Sequence, residues 1–278
     1  MSHPRDILLS LEANARKSLS QNFLVSPHWA DRLTQAVIDT PNVDEFWEIG
    51  PGLGALTAKL LEKAGNTPVK IFEYDRKLSA YLRERFPKAQ LFEGDFLQAD
   101  LASLLSPSRR VGLLSNLPYH LSSPILFKLM EFKQSFPRLV LTFQKEYAER
   151  LYAQPGSKDY GQLSVLMQLS FHLQSLGTLP PGAFYPAPGV SSEAVWFEPR
   201  TLGEVPLESL SRVVKTAFQH RRKKVSGNLK QGFPNAPIDA ILEELHIANE
   251  ARPETLTKQD YLALTEKLSP HFPIESKR

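Results

Sequence analysis

Phe46-Trp47-Glu48-Ile49 runs straight into Gly50-Pro51-Gly52-Leu53-Gly54, and Ala55 to Lys63 follows with helical composition and apolar residues at Leu56, Leu60 and Leu61. A strand of aromatic and β-branched residues, a glycine turn, and a helix stopped by Gly65-Asn66 make the opening unit of a nucleotide-cofactor fold. Glycines let the backbone turn tightly and approach a ligand without Cβ clashes. The spacing is not that of a dinucleotide loop, because G-x-G-x-x-G places its third glycine one residue later. Pro51 also removes an N–H that could hold a pyrophosphate. Glu48, two residues before Gly50, repels phosphates and suits a ligand carrying an ammonium and a sulfonium. The loop therefore favours S-adenosylmethionine over a nicotinamide dinucleotide.

Working outward, the alternation continues on both sides. Upstream, a polar, basic lead-in (residues 1–40) ends in a helix from about Pro27 to Ile38, with Ser26 as N-cap and Pro27 at the first position. Downstream, strands are expected at Val69–Phe72 ending at Glu73, at Gln90–Glu93 ending near Asp95, at Val111–Ser115 ending at Asn116, and at Leu139–Phe143. Helices at Lys77–Arg85, Pro124–Phe132 and up to Arg150 fall between or after them. Phe171–Leu179 and Ala194–Glu198 add two late strands, read as an antiparallel hairpin closing the sheet edge. The pattern predicts an α/β fold: a mostly parallel seven-stranded sheet with helices on both faces. Pro199 to Pro206 has no strand character, and beyond it only helices are expected, at Leu207–Asn228, Ile238–Leu245 and Lys258–Leu268. The predicted division is a first domain over residues 1–199 and a small all-helical domain over 200–278.

Three strand ends carry chemistry. Glu73 lies 23 positions after Gly50 (73 − 50) and can accept both hydroxyls of a ribose. Asp95, at the next strand end, is placed for an adenine edge. Either acid alone reads as an ordinary solvated loop residue; together with Gly50 and Gly52 they form a set at one sheet edge. Asn116-Leu117-Pro118-Tyr119 follows the fourth strand. An exocyclic adenine amine is a poor nucleophile because its lone pair is delocalised into the ring. The Asn116 side-chain oxygen and a loop carbonyl can accept the amine's two hydrogens, orient its lone pair, and stabilise the positive charge that grows on nitrogen. Pro118 stiffens the loop, and Tyr119 can stack on an extruded base. Read alone, the four residues are also a plain turn.

Composition sets the outer bounds. Of 278 residues, Lys and Arg number 33 against 30 Asp and Glu, a net charge of +3 that does not by itself imply a nucleic-acid partner. Positive charge is concentrated instead at Arg109-Arg110 and at His220-Arg221-Arg222-Lys223-Lys224. With no cysteine, disulfides, zinc-thiolate sites and a thiol nucleophile are excluded, and no metal site is expected. Neither a membrane span nor a secretory signal is visible, and a cytoplasmic enzyme is expected. The helix expected over Leu207–Asn228 lines up Val214, Phe218, Val225 and Leu229 on one stripe, leaving Arg212, Lys215, Gln219, Arg222 and Lys223 largely on the other side. Such a charged face is by default simply solvated; beside an RNA-directed site it becomes a phosphate contact.

The chain resembles the ribosomal RNA adenine dimethyltransferase family over nearly its whole length. Lys17-Ser18-Leu19-Ser20-Gln21-Asn22-Phe23-Leu24 is similar to its K-x-x-G-Q-N-F-L motif, and Glu48–Gly54 and Asn116–Tyr119 to its cofactor and catalytic motifs. Gln144-Lys145-Glu146, Tyr160–Ser164, Phe184–Val190 and Phe218–Lys224 resemble four further segments in family order. The resemblance implies a class I, Rossmann-like methyltransferase domain. Cofactor contacts are implied at Asn22, Leu24, Gly50, Glu73, Asp95 and Asn116, and RNA contacts at Arg221, Arg222, Lys223 and Lys224. Phe184 would sandwich the target base opposite Tyr119, although a core phenylalanine is an equal reading of the residue itself. Four positions depart from the pattern: Ser20 replaces a glycine, Gly189 and Ser191 replace a Lys and an Asp, and His120 replaces an Asn. The implied reaction is dimethylation of two adjacent adenines near the 3′ end of small-subunit (16S) ribosomal RNA, by a monomer acting on the maturing 30S subunit. Rival readings are a macrolide-resistance type of methyltransferase acting on large-subunit RNA, disfavoured by Leu117 and the F-x-x-R-R-K segment, and a ribosome-assembly or transcription factor that keeps the fold. A dehydrogenase is the remotest.

Overall fold

The computed structural model describes residues 4–11, 22–106 and 108–272. The segment Lys17–Gln21, with Ser20, lies outside them. Nine strands are described: β1 Phe23–Leu24, β2 Glu45–Ile49, β3 Val69–Glu73, β4 Gln90–Glu93, β5 Val111–Asn116, β6 Arg138–Gln144, β7 Phe171–Leu179, β8 Phe184–Tyr185 and β9 Ser192–Pro199. The helices are α1 Pro4–Ser10, α2 Pro27–Ile38, α3 Ala55–Lys63, α4 Arg76–Arg85, α5 Leu101–Leu104, α6 Ser122–Glu131, α7 Lys145–Tyr152, α8 Gln162–Ser170, α9 Leu207–Ala217, α10 Val225–Gly232, α11 Ile238–Glu244 and α12 Lys258–Leu268.

Seven strands form one sheet in the order β4-β3-β2-β5-β6-β9-β7. The first five run parallel, and β9 pairs antiparallel with β6. Strands covered on both faces are buried along their length: β2 and β3 are buried at all five positions, with Lys70 paired to Glu45 at 2.9 Å. Side chains alternate between the two faces. Phe46, Ile71, Leu114 and Val140 pack with Leu33, Val37, Leu56 and Leu60 of α2 and α3. Trp47 and Phe72 instead meet Phe136 and Phe96, with ring centroids 5.8 and 5.2 Å apart. Strand order reverses between β2 and β5, because successive crossovers lead away from β2 in opposite directions. A crevice opens at the carboxyl ends of strands at such a switch point, and the Gly50 and Asn116 ends flank it.

The element pattern follows the sequence closely at α2 and α3, and Ser26 caps α2 by accepting from Trp29 N at 3.4 Å. Five elements were not anticipated: α1, α5, β1, β8 and α8. β1 and β8 form a separate antiparallel pair, Phe23 opposite Tyr185 and Leu24 opposite Phe184. Gln162–Ser170 is a helix, buried at every position from Leu163 onward.

The chain divides into two compact units, one within Met1–Ala148 and Leu173–Pro199, the other within Glu149–His172 and Arg200–Arg278. This differs from a single cut at 199: the Glu149–His172 excursion packs with the helical unit, where Tyr160 meets Phe218 and Phe218 stacks on Tyr261. The long helix expected over Leu207–Asn228 is also corrected. It is two helices, α9 and α10, and the basic run lies in the turns between them. The buried Asn228 amide ends the first helix by donating to Ala217 O (2.6 Å) and His220 O (3.1 Å). Four successive cations within one helical turn would also repel each other.

Candidate active site

The carboxyl ends of β2, β3 and β5 are laced together before any side-chain chemistry begins. Gly50 N donates to Phe72 O at 2.9 Å, Gly94 N to Glu73 O at 2.8 Å, and the buried Ser115 hydroxyl to Ile49 O at 2.6 Å. The glycine loop then turns with positive φ at Gly50, Gly52 and Gly54. A Cβ at Gly52 would come within 2.8 Å of the Phe23 ring, and one at Gly54 within 2.2 Å of Phe86. No other residue fits those two places without displacing a core aromatic.

Two adjoining clefts flank this loop. The first, of about 670 Å³, is lined by Asn22, Leu24, Glu48, Gly52, Asn116 and Tyr119, among others. The second, of about 880 Å³, is lined by Tyr74, Asp75, Asp95, Phe96 and His120 with their neighbours. Gly50, Glu73 and Pro118 line both. The sequence-predicted cofactor set therefore converges, with Asp95 in the second cleft and the others in or bordering the first. His120, one of the departures from the family pattern, also faces the second cleft.

The acids are held differently. Glu73 is buried, and its carboxylate accepts from Asp75 N (2.8 Å) on one oxygen and Gly52 N (3.2 Å) on the other. Burial pushes its pKa up to about 7 against those backbone bonds. Glu48, almost fully buried, is pushed up to about 8 by desolvation, opposed by the Thr57 hydroxyl at 2.6 Å and reinforced by the nearby Glu73 charge. Asp95 spends one oxygen on Leu97 N (2.8 Å), capping a short 3₁₀ turn, and keeps the other for the cleft. Lys128 of α6 donates to Leu97 O and Ala99 O and so fixes that turn.

At the Asn116–Tyr119 loop, the Asn116 amide nitrogen donates to Asn22 O at 2.9 Å and its oxygen accepts from Thr142 Oγ1 at 2.6 Å. Tyr119 is hydrogen-bonded through its hydroxyl to Ser192 Oγ at 2.8 Å, and burial raises its phenol pKa. Sequence reasoning missed Thr57, Thr142 and Ser192. Single hydroxyls on buried strands and helices carry no sequence signal until strand register is known.

Two expectations are corrected. Phe184 lines neither cleft: it is 3% exposed and packs in the core with Leu24, Val140 and Ala194. Its neighbour Tyr185, on the alternate side of β8, is the half-buried aromatic. Of the basic run, Arg221 donates to Ser157 O and Lys158 O, and Lys224 pairs with Glu250 at 2.6 Å. Arg222 and Lys223 have no such partner among the described residues. Gly189 has open space where a side chain would stand. Among the described residues no group of acids and histidines could hold a metal ion, and no helix is long and apolar enough to cross a membrane.

The family model for ribosomal RNA adenine dimethylase matches residues 12–269. The chain belongs to the ribosomal RNA adenine dimethylase family. A curated relative, ribosomal RNA small subunit methyltransferase A of Aromatoleum aromaticum, is 40% identical over 94% of this chain and 97% of its own. Among solved structures, a dimethyladenosine transferase from Plasmodium falciparum is 25% identical, with a TM-score of 0.75 over 90% of this chain and 98% of its own. The 23S rRNA methyltransferase ErmE shares the fold at 23% identity, with a TM-score of 0.64 over 89% of this chain and 100% of its own. The adenine dimethylase fold thus serves proteins named for different ribosomal RNAs, and the fold alone does not select between them.

Proposed function

We propose that this chain transfers methyl groups from S-adenosylmethionine to the exocyclic amines of two adjacent adenines near the 3′ end of small-subunit ribosomal RNA. The observation that carries the reading is the Asn116 carboxamide. Its nitrogen donates to Asn22 O and its oxygen accepts from Thr142, which leaves the second lone pair of that oxygen to accept from a substrate amine at the cleft wall.

The residues present fit the methyl donor. Gly52 lines the first cleft with backbone alone, Glu73 offers two fixed carboxylate oxygens to a ribose, and Asp95 offers one to an adenine amine. Glu48, buried beside the loop, faces a cationic amino-acid end, while Asn22 and Leu24 supply the near wall. When bound, S-adenosylmethionine supplies an electrophilic methyl group on sulfur. Asn116 Oδ1 and a loop carbonyl accept the two hydrogens of the adenine amine, turn its lone pair outward, and stabilise the charge that develops on nitrogen. No strong base is needed, because the alkylated ammonium is acidic enough to lose its proton to solvent. After the first transfer one hydrogen remains, and one of the two acceptors takes it to orient the amine again. Pro118 stiffens the loop, and Tyr119, held through Ser192, is available to stack on the base.

Arg222 and Lys223, in the turn before α10 and without an ion-pair partner among the described residues, suit phosphate contacts that position the RNA without reading its bases. The maturing small subunit is the partner in this reading, engaged by a monomer in the cytoplasm. The test is transfer of labelled methyl groups onto immature small subunits and separately onto large-subunit RNA, followed by nucleoside analysis. Dimethyladenosine in small-subunit RNA is expected; label confined to large-subunit RNA would overturn the assignment.

A further inference from the structure

β5 and β6 are parallel neighbours, and their register sets Asn116 beside Thr142. Directly paired residues on one sheet face bring their side chains within reach of each other, and here the Thr142 hydroxyl donates to Asn116 Oδ1 at 2.6 Å. Thr142 is 1% exposed, so its hydroxyl is shielded from bulk water. The other end of the Asn116 amide meets Asn22 O, which can only accept. That contact fixes which end of the amide is nitrogen. Given this, the threonine hydroxyl must give its proton to the amide oxygen.

We infer that Thr142 is a positioning residue for methyl transfer: its hydroxyl occupies one lone pair of Asn116 Oδ1 and leaves the other aimed at the incoming amine. The inference rests on Asn116 being the amine acceptor. With both ends of the amide tethered, the side chain cannot rotate about its last bond, and the acceptor is preorganised before substrate arrives. The tethers lie on different parts of the chain, Asn22 just before β1 and Thr142 on β6. Each fixes one end of the amide, and neither alone fixes both.

The variants Thr142→Val, which keeps the shape and removes the hydroxyl, and Thr142→Ser, which restores it, separate positioning from packing. Single-turnover methyl transfer onto small subunits should slow by about tenfold in Thr142→Val, the scale of one lost hydrogen bond, and return to within about twofold in Thr142→Ser. The KM for S-adenosylmethionine should stay put in both. Thr142→Ala against Thr142→Ser gives the same comparison if valine disturbs the strand. A wild-type rate in Thr142→Val, or a Thr142→Ser enzyme as slow as the valine variant, would overturn the inference. Asn116→Ala separates the two claims. If it stays active, the acceptor reading itself is wrong; if it is inactive while Thr142→Val is unimpaired, only the positioning role falls.

Discussion

Lowering the pH from 8.5 to 6.5 should weaken binding of S-adenosylmethionine sharply. In the ligand-free protein, burial holds the Glu48 carboxyl near pKa 8 and Glu73 near 7, far above an exposed glutamate. A cationic ligand favours the ionised forms, so binding draws those pKa values down and releases protons. The sign follows: affinity rises with pH up to about 8 and levels off beyond it. If only the ionised form of Glu48 accepts the ligand, that form is about three-quarters of the protein at pH 8.5 and about one-thirtieth at pH 6.5, a loss of about 25-fold. Glu73 steepens the fall below pH 7. Titration calorimetry in two buffers of different ionisation heat counts the protons directly, and about 1.4 should be released at pH 7, about 0.9 from Glu48 and about 0.5 from Glu73. Glu48→Gln should remove most of the slope above pH 7. An affinity constant to within about twofold across this range, with no proton release, would refute the argument.

The same burial acts on the ligand-free protein. Glu48 has a raised folded pKa, so its contribution is fully present below the unfolded value of about 4.5 and is lost as pH climbs to about 8. The thermal midpoint without ligand should fall over that window, and Glu48→Gln should flatten the fall. Gly54→Ala, which drives a methyl group into the Phe86 ring at a φ of +79°, should lower stability by about 2 kcal/mol or more and weaken cofactor binding, read by thermal melts and titration. Arg222→Ala and Lys223→Ala should each reduce the salt slope of small-subunit binding by about one while leaving the melt unchanged. Arg221→Ala should lower the melting temperature instead, because it releases the Ser157–Lys158 loop. Phe184→Ala should destabilise the protein by about 3–5 kcal/mol; a purely base-stacking residue would leave the melt untouched.

The glycine loop was legible because its chemistry is local. A strand, three glycines at fixed spacing and a helix lie within twenty residues, and the structure returns α3 with the boundaries expected from sequence. The strand-end acids were legible for a related reason: in a parallel sheet, every strand that alternates with a helix ends at the same edge. What stayed hidden depends on register and on pairing across long separations. Thr142 and Ser192 are ordinary residues until the neighbouring strands are placed. Phe184 was drawn to the base pocket by its motif, but strand alternation on β8 turns it into the core. The basic segment misled through helical periodicity, since an apolar stripe at the right spacing continues across a turn that Asn228 closes from the far side.

The small pairing of β1 with β8 has a consequence for the order in which the site can come into being. Phe23 and Tyr185 are opposite each other yet 162 positions apart (185 − 23), and Leu24, which lines the first cleft, is held by the same pair of strands. As the chain leaves the ribosome, the glycine loop, Glu73 and Asn116 can all assemble from the residues already made. The wall bearing Leu24 has no strand to rest on until Phe184 and Tyr185 emerge. A nascent chain would thus carry the reactive loop long before it could enclose a methyl donor.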